Sequence, residues 1–341
     1  MGLHARSRLA IPAFLKVRLR FFFRIDLPTG YPIPYQRNAR LGGYNGFPRL
    51  REREYGYIMG SPAWNSDHMF KIGFPIWYGY GKHIGELAHE AARVGFDYLE
   101  ISLDYPWPFR GRLLLREVVE LAAKEGLSLA FHAPWRDIRP ASPFEEVKRA
   151  SLKVLEKVIA EISGSECEYL VAHISTDQAF DKIEEIRDEV VKAAVESIKS
   201  LKDFSEAGGL KLVVENVRED LKTFLEIVSK SGTYACLDVG HAICLIARRI
   251  GREAVEEELS KWFSSLKDRI RVVHYSGIKC GNGWVRDHQL TSSADKYLRF
   301  TKSRIQKLSL ENFLLEVFEG PGDGEVKPSH LADAVSFLRR L

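Results

Sequence analysis

The sequence predicts an α/β fold in which short buried strands alternate with amphipathic helices. Beyond residue 68 of this 341-residue chain, eight apolar runs rich in Val, Ile, Leu and Phe follow one another at regular intervals. Strands of a parallel sheet are buried on both faces, and their sequences are therefore nearly continuous in apolar residues. Eight strand-then-helix units within about 270 residues have the size and order of a closed (β/α)8 barrel, the TIM barrel.

Each predicted strand is followed by a stretch with helical spacing of its apolar residues. The strands are expected at 71–76, 97–103, 128–132, 168–174, 211–217, 233–238, 270–275 and 312–318. The stretches GELAHEAARVG and LREVVELAAKEG are typical of the intervening helices, and both end in Gly, a frequent helix stop. A last helix is expected in PSHLADAVSFLRRL. A doubly wound open sheet is the main alternative, but no GxGxxG motif follows the first strand.

The first 68 residues differ from the rest in composition. They contain 11 Lys/Arg and 4 Asp/Glu, a net charge of +7, so the overall charge of +4 leaves residues 69–341 at −3. Pro and Gly interrupt this region, and no helix or strand period is sustained in it. We expect residues 1–68 to be an irregular basic extension, either an appendage or an upstream-extended reading frame, and residues 69–341 to be the catalytic domain. The alternative is an ordered extension that packs on the barrel.

Composition favours a soluble cytoplasmic protein. Hydrophobic residues make up 45% and charged residues 28%, as in ordinary globular domains. The four cysteines show no CxxC spacing and are interpreted as reduced thiols. No apolar run reaches the ~18 residues that span a bilayer. The mildly acidic body argues against nucleic acid as a partner. The oligomeric state stays open, and a homo-oligomer is compatible with the sequence.

Residues that can bind a divalent metal close six consecutive predicted strands. They are His132, His173, Glu215, Asp238 with His241 three residues later, His274, and Glu316. Each residue alone has an ordinary interpretation as a helix cap, a core histidine or a buried ion pair. Together they indicate one site, because a barrel carries its active site at the carboxyl ends of its strands. Mixed imidazole and carboxylate ligands suit Zn²⁺, Mn²⁺, Co²⁺ or Fe²⁺ in an open, catalytic centre.

Other side chains near these strand ends are candidates for ligands or for substrate contacts. The loop after the seventh strand carries Asp287 and His288, which either add ligands, bind substrate, or belong to a solvated surface loop. Glu100 lies within a buried strand and is expected to line the pocket. Aromatic residues that follow the first three strands form a wall for a sugar or a base, or ordinary rim packing; they are Trp77, Tyr78, Trp107 and Trp135.

The ordered motifs FHAPW, VAHIS, VVENV, CLDVGHA, VVHYSG and LLEVFEG resemble those of the xylose-isomerase-like TIM-barrel superfamily. The resemblance covers roughly residues 69–341. That superfamily contains sugar-phosphate isomerases and epimerases as well as endonuclease IV. In the isomerase branch the resemblance implies one divalent metal, two glutamates that act as acid and base on the substrate, and a His in contact with it. The implied metal ligands are Glu215, Asp238, His274 and Glu316; the acid and base are Glu215 and Glu316; and the substrate contact is His241.

In the endonuclease IV branch the resemblance implies three zinc ions. His132 and His173 would join Glu215 at one ion, the four isomerase-type ligands would hold the second, and His241 would help to hold the third. That third ion also needs an Asp-x-His motif after the seventh strand. Here alignment on His288 puts Arg286 at the Asp position and Asp287 one residue out of register. The first-strand motif Gly-x-His-x-Ser is replaced by GFPIW.

We therefore expect a sugar or sugar-phosphate isomerase or epimerase with a single divalent ion. One alternative is an abasic-site DNA nuclease with three zinc ions and nucleic acid as its partner. The other is a non-catalytic barrel that binds a sugar or a metal.

Overall fold

The computed structural model describes residues 70–77, 83–105 and 115–340. All eight predicted strands are present. They are β1 (Lys71–Ile76), β2 (Tyr98–Ser102), β3 (Ser128–His132), β4 (Leu170–His173), β5 (Leu212–Glu215), β6 (Tyr234–Asp238), β7 (Ile270–Tyr275) and β10 (Asn312–Leu315). The strands β8 (Gly277–Gly281) and β9 (Trp284–Gln289) form a separate hairpin. The predicted extension at 1–68 lies outside the described residues, as do Tyr78 and Trp107.

Helices connect the strands in the order expected for a barrel. They are α1 (Ile84–Val94), α2 (Leu115–Lys124), α3 (Glu145–Ile162), α4 (Glu184–Ala207), α5 (Leu221–Ser231), α6 (Val239–Arg249), α7 (Val255–Ser265), α8 (Lys296–Ile305) and α9 (Ala332–Arg339). Asp220 and Asp238 cap the amino ends of α5 and α6 by accepting hydrogen bonds from the backbone N–H groups of Thr223 and His241. No helix in the described ranges is long and apolar enough to cross a bilayer.

The strands close into a parallel barrel with the neighbour order β1-β2-β3-β4-β5-β6-β7-β10. The predicted (β/α)8 fold is therefore confirmed. Parallel pairing brings every carboxyl end to one face of the barrel. β4, β5, β6, β7 and β10 are consecutive neighbours on this face, and the residues that close them are brought together by register: His173 pairs with Glu215, and Asp238 pairs with His274.

Two apolar layers hold the barrel. An outer layer between the strands and helices includes the fully buried Phe74, Phe224 and Phe313. An inner layer fills the barrel below the carboxyl face and contains Tyr98, Ala130, Tyr169, Val171, Val213, Cys236, Val272 and Leu314. Gly73 makes room for the Tyr98 ring, since a Cβ there would lie 2.2 Å from Tyr98 Cζ. The packed interior gives the strand ends a rigid floor.

The segment after β7 differs from the predicted polar loop, because it folds into the antiparallel β8–β9 hairpin. Gly277 pairs with Gln289 and Lys279 pairs with Arg286, so β9 contains one residue more than β8 between these two pairs. Such an extra residue is a β-bulge, which bends a strand and turns its side chains. His288 has a left-handed backbone with φ of 56°, which is uncommon for a residue other than Gly.

Candidate metal centre

Four ligand-type side chains converge at the carboxyl face of the barrel. Glu215 and Asp238 end β5 and β6, His274 lies near the end of β7, and Glu316 directly follows β10. Their nearest ligand atoms all lie within 4.8 Å of one another, and none of these residues is more than 5% exposed. We call this set the quartet. The structure thus brings together four of the residues that the sequence analysis singled out.

Polar atoms of the quartet lack hydrogen-bond partners within the part of the chain that the structure describes. They are Glu215 Oε1, Asp238 Oδ2, Glu316 Oε2 and both ring nitrogens of His274. A buried polar atom without a partner costs about 1–3 kcal/mol, and more if charged. The three carboxylate oxygens and His274 Nδ1, which faces two of them, fit a site for a cation, which would be coordinated by these four atoms.

Electrostatics in the quartet also favour a cation. Burial raises the pKa of Asp238, His241 opposes this, and the nearby Glu316 and Glu215 carboxylates raise it further, to well above its ordinary value. For Glu316, burial and the repulsion of Glu215 raise the pKa, but the charge and hydrogen bond of His274 together with the charge of His288 lower it to about 2. Three carboxylates in one buried space repel one another strongly when all are charged. A divalent ion would balance that charge.

A second group, His132–His173–Glu215, lies beside the quartet and shares Glu215 with it. His173 Nε2 lies 3.1 Å and His132 Nε2 lies 3.4 Å from Glu215 Oε2. His132 Nδ1 lies 2.8 Å from the carbonyl oxygen of Ala133. A ring nitrogen that donates to a carbonyl carries the proton, which leaves the other nitrogen, Nε2, free to bind a metal.

A third group consists of His241, Asp287 and His288. His241 Nδ1 lies 2.9 Å from Asp287 Oδ2, and the rings of His241 and His288 meet edge to face at 5.3 Å. His288 Nδ1 lies 3.1 Å from the carbonyl oxygen of Glu316, so Nε2 is the nitrogen available to a metal. Burial raises the pKa of Asp287, but the hydrogen bond and charge of His241 together with the charge of His288 hold it well below its usual range.

This third group corrects the expectation that Asp287 is out of register. In a regular strand, adjacent residues point to opposite faces, so only one of Asp287 and His288 could face the site. The bulge and the left-handed backbone of His288 turn both side chains to the same side. Arg286 points away from this group and forms an ion pair with Glu319.

The carboxylates of the quartet lie between the three groups. Glu215 directs Oε2 to His132 and His173 and Oε1 to His274 Nδ1, at 3.3 Å. Glu316 Oε2 lies 3.5 Å from His274 Nδ1 and 3.8 Å from His288 Nδ1. Glu215 thus has one oxygen toward each of two ligand groups and could contribute a ligand atom to both, whereas Glu316 directs the same oxygen to His274 and to His288.

Residues outside the three groups fix the ligands in place. Glu100 Oε2 accepts a hydrogen bond from the Tyr169 hydroxyl at 2.6 Å and lies 3.2 Å from His274 Nε2. This pairing of a carboxylate with the far nitrogen of a ligand histidine orients the ring. The Asn216 amide joins β5 to β6, since Nδ2 donates to the Asp238 carbonyl and Oδ1 accepts from the Asp238 N–H. Sequence reasoning missed this role, although Asn216 directly follows a predicted ligand.

Cys236 was also missed. Its thiol lies within 4.8 Å of ligand atoms of Glu215 and His274, below the quartet in the inner apolar layer. Burial raises the pKa of this thiol well above its ordinary value. A neutral thiol is a poor metal ligand, so we interpret Cys236 as part of the floor of the site.

A cavity of about 280 Å³ opens above the centre. Its wall includes the aromatic rings of Trp77, Trp135 and Phe318, and His132, His173, His241, His288 and Glu316 lie at its base. Asp104 contributes a buried carboxylate, which accepts a hydrogen bond from the Trp135 N–H and forms an ion pair with Arg136. As predicted, Glu100 is also among the lining residues. The cavity is therefore the size of a small molecule, with an aromatic wall and a polar base.

The chain belongs to the xylose isomerase-like TIM-barrel family, whose sequence profile matches residues 88–340. A curated relative is an uncharacterized protein of Methanocaldococcus jannaschii, which is 26% identical over 122 residues. That match covers 35% of this chain and about half, 48%, of the relative.

Solved structures with the same fold include sugar epimerases and a nuclease. A D-tagatose 3-epimerase-like protein is 17% identical with a TM-score of 0.58, and the match covers 78% of this chain and 96% of that chain. The 3-keto-D-glucoside 4-epimerase of E. coli is 13% identical with a TM-score of 0.58, and the match covers 80% of this chain and 100% of that chain. Endonuclease IV of Thermus thermophilus is 20% identical with a TM-score of 0.52, and the match covers 78% of this chain and 97% of that chain. At these identities the likeness shows the fold.

Proposed function

We propose that this protein is a metal-dependent hydrolase of phosphate esters with three neighbouring divalent ions. The observation that carries the proposal is the third ligand group, His241–Asp287–His288, beside the quartet and the His132–His173–Glu215 group. The expectation from sequence, a single-ion isomerase, rested on the broken Asp-x-His motif, the missing first-strand motif and the acidic body; the position of Asp287 beside His241 and His288 weakens the first of these arguments.

A single-ion centre leaves too many ligands without a role. Zn²⁺ takes about four ligands, of which a catalytic site usually supplies three from the protein. The nine side chains of the three groups, with Glu215 shared, are enough for three such ions. Neighbouring ions that clamp both the attacking and leaving oxygens are typical of phosphatases and nucleases. Zn²⁺ and Mn²⁺ both accept imidazole and carboxylate ligands.

The residues of this chain would divide the work of hydrolysis as follows. Bound ions supply positive charge that stabilises the transition state of phosphoryl transfer. Glu316, which stays ionised because of His274, is the base that takes a proton from the attacking water. The water oxygen bonds to phosphorus, the ester P–O bond breaks, and solvent protonates the leaving oxygen. Trp77, Trp135 and Phe318 would hold the sugar or base next to the reacting phosphate.

The test is hydrolysis by zinc- or manganese-loaded protein of bis(p-nitrophenyl) phosphate and of a duplex with an abasic site. We expect Glu316→Gln to lower the rate by about 10²–10⁴-fold, the usual contribution of a general base. The exposed Glu325→Gln serves as the matched control and should keep the wild-type rate. The absence of turnover on both substrates, or an unchanged rate in Glu316→Gln, would contradict the proposal.

A sugar or sugar-phosphate isomerase or epimerase is the second candidate. It is favoured by the small aromatic-walled cavity, whose lining arginine, Arg136, is already paired with Asp104. A protein that binds duplex DNA needs many free cations on its surface. In this reaction Glu215 and Glu316 would move a proton between neighbouring carbons of the sugar.

Proton exchange separates the two candidates. An isomerase exchanges a carbon-bound hydrogen of a ketose or ketose phosphate in deuterated water, and a hydrolase does not. Exchange that is lost in Glu316→Gln, without cleavage of any phosphate ester, would establish the second candidate instead of the first. Either reaction suits a reducing, cytoplasmic location, since all four cysteines are free.

A further inference from the structure

A second cavity, of about 230 Å³, lies on the far side of the His241–Asp287 pair. Three arginines line it: Arg218, from the loop after β5, and Arg248 and Arg249, from the end of α6. We call it the arginine cavity. Val217 and His241 also line the main cavity, so the two cavities share these residues as a common boundary.

The carboxylates around the arginine cavity pair with two of its three arginines. Arg249 is held by Asp181 at 3.1 Å and Asp220 at 3.6 Å. Asp287, the remaining carboxylate of the lining, is paired with His241. Arg218 has a long ion pair with Asp177, at 3.7 Å, so within the described residues Arg248 is the guanidinium group of this lining that has no carboxylate partner.

Arg248 is the best placed of the three to bind a ligand. Its Nη2 donates to the Val285 carbonyl oxygen at 3.2 Å, and within residues 70–77, 83–105 and 115–340 it forms no ion pair. Arg218 reaches only the Thr176 carbonyl oxygen at 3.5 Å and Asp177 at 3.7 Å, and its side chain is 52% exposed. A guanidinium has five N–H donors in a planar fork, so both groups keep donors for an anion.

We propose that the arginine cavity binds a phosphate group of the substrate other than the phosphate that reacts. Arginine forks match phosphate oxygens in pairs, and such charge-assisted bonds are among the stronger ones in proteins. The volume equals that of about seven waters at about 30 Å³ each, enough for a phosphate with its remaining hydration. The inference rests on the proposed function, since it concerns the substrate of the same site. It makes that substrate a molecule with two phosphates, or two anionic groups.

Binding of inorganic phosphate tests this without any turnover. Equilibrium dialysis of the metal-loaded protein should show a phosphate whose affinity falls about 10–100-fold in Arg248→Gln and in Arg218→Gln, the loss expected for a charged hydrogen bond. Arg248→Lys should retain part of the affinity, because it keeps the charge and loses the fork. The matched control is Arg116→Gln, which removes an 85% exposed arginine far from the site in sequence, and should bind as wild type.

The outcomes keep the two proposals apart. Equal phosphate binding by wild type, Arg218→Gln and Arg248→Gln would overturn the arginine cavity and leave the hydrolase untouched. Arginine-dependent binding without hydrolysis of any phosphate ester would keep the cavity and overturn the hydrolase. Acetate should not displace the bound phosphate at concentrations where sulfate does. Equal displacement by acetate would indicate that the cavity binds a carboxylate ligand instead.

Discussion

Replacement of Glu100 by Gln tests how the metal ligands are held. Glu100 touches the centre only through His274, whose Nε2 lies 3.2 Å from its Oε2, while His274 Nδ1 faces Glu215 and Glu316. The Gln side chain has the same shape, so the packing of β2 is kept and the negative charge is removed. The lost interaction is a hydrogen bond to a charged group, about 1.5–3 kcal/mol. That range corresponds to a loss of metal affinity of about 10–150-fold.

The assay is competition for Zn²⁺ with a chelator of known affinity, on wild type, Glu100→Gln and Tyr169→Phe. Outer residues around metal ligands usually change affinity by about 10–100-fold, which matches the range above. Tyr169→Phe removes the 2.6 Å hydrogen bond to Glu100 while keeping the carboxylate, so it should have a smaller effect. Metal affinity in Glu100→Gln within about twofold of wild type, with a lower free energy of unfolding of the metal-free protein, would refute the reasoning and make Glu100 a structural residue.

Three other predictions concern the hairpin, the histidines and the core. Gly240→Ala places a Cβ 2.6 Å from Ser276 Oγ and 3.1 Å from Asp287 Cβ, which should displace Asp287 from the third ligand group. Elemental analysis should then show one ion fewer per chain, and an unchanged count would contradict the role of Asp287 as a ligand. Burial alone would lower the pKa of His132, but Glu215 raises it to about 9 in the metal-free protein, above the unfolded value of about 6.5. The stabilisation from this proton is full below about pH 6.5 and is lost as pH rises through about 9. Denaturant unfolding of the metal-free protein should therefore give a lower free energy of unfolding at about pH 9.5 than at about pH 6.5. In His132→Gln the decrease between these two pH values should be smaller. Phe313→Ala should lower the free energy of unfolding by about 3–5 kcal/mol, and a loss below about 1 kcal/mol would show that the site is not tightly packed.

Sequence predicted the barrel and the quartet because both depend on local signals. An apolar run that ends in Glu215 or His274 marks a buried strand and its ligand at once, and parallel order brings such ends together. The third ligand group could not be predicted in the same way. Counting residues from His288 assumes a regular two-residue repeat, whereas the bulge arises from the pairing of β8 with β9.

The arginine cavity lay beyond sequence reasoning for a related reason. Arg218 follows a ligand strand, but Arg248 and Arg249 lie at the far end of α6, where arginines usually stabilise the helix terminus. The fold brings Arg248 to the same space, where its Nη2 donates to the Val285 carbonyl oxygen of the hairpin.

The number of tightly bound metal ions per chain is the most direct test of the three-group centre. Mass spectrometry or elemental analysis of protein saturated with Zn²⁺ and then dialysed should give about three ions per chain. The same measurement on His288→Ala should give about two, because Asp287 and His241 alone are too few ligands to hold an ion tightly. A single ion in wild type that is retained in His288→Ala would contradict the account and favour the isomerase.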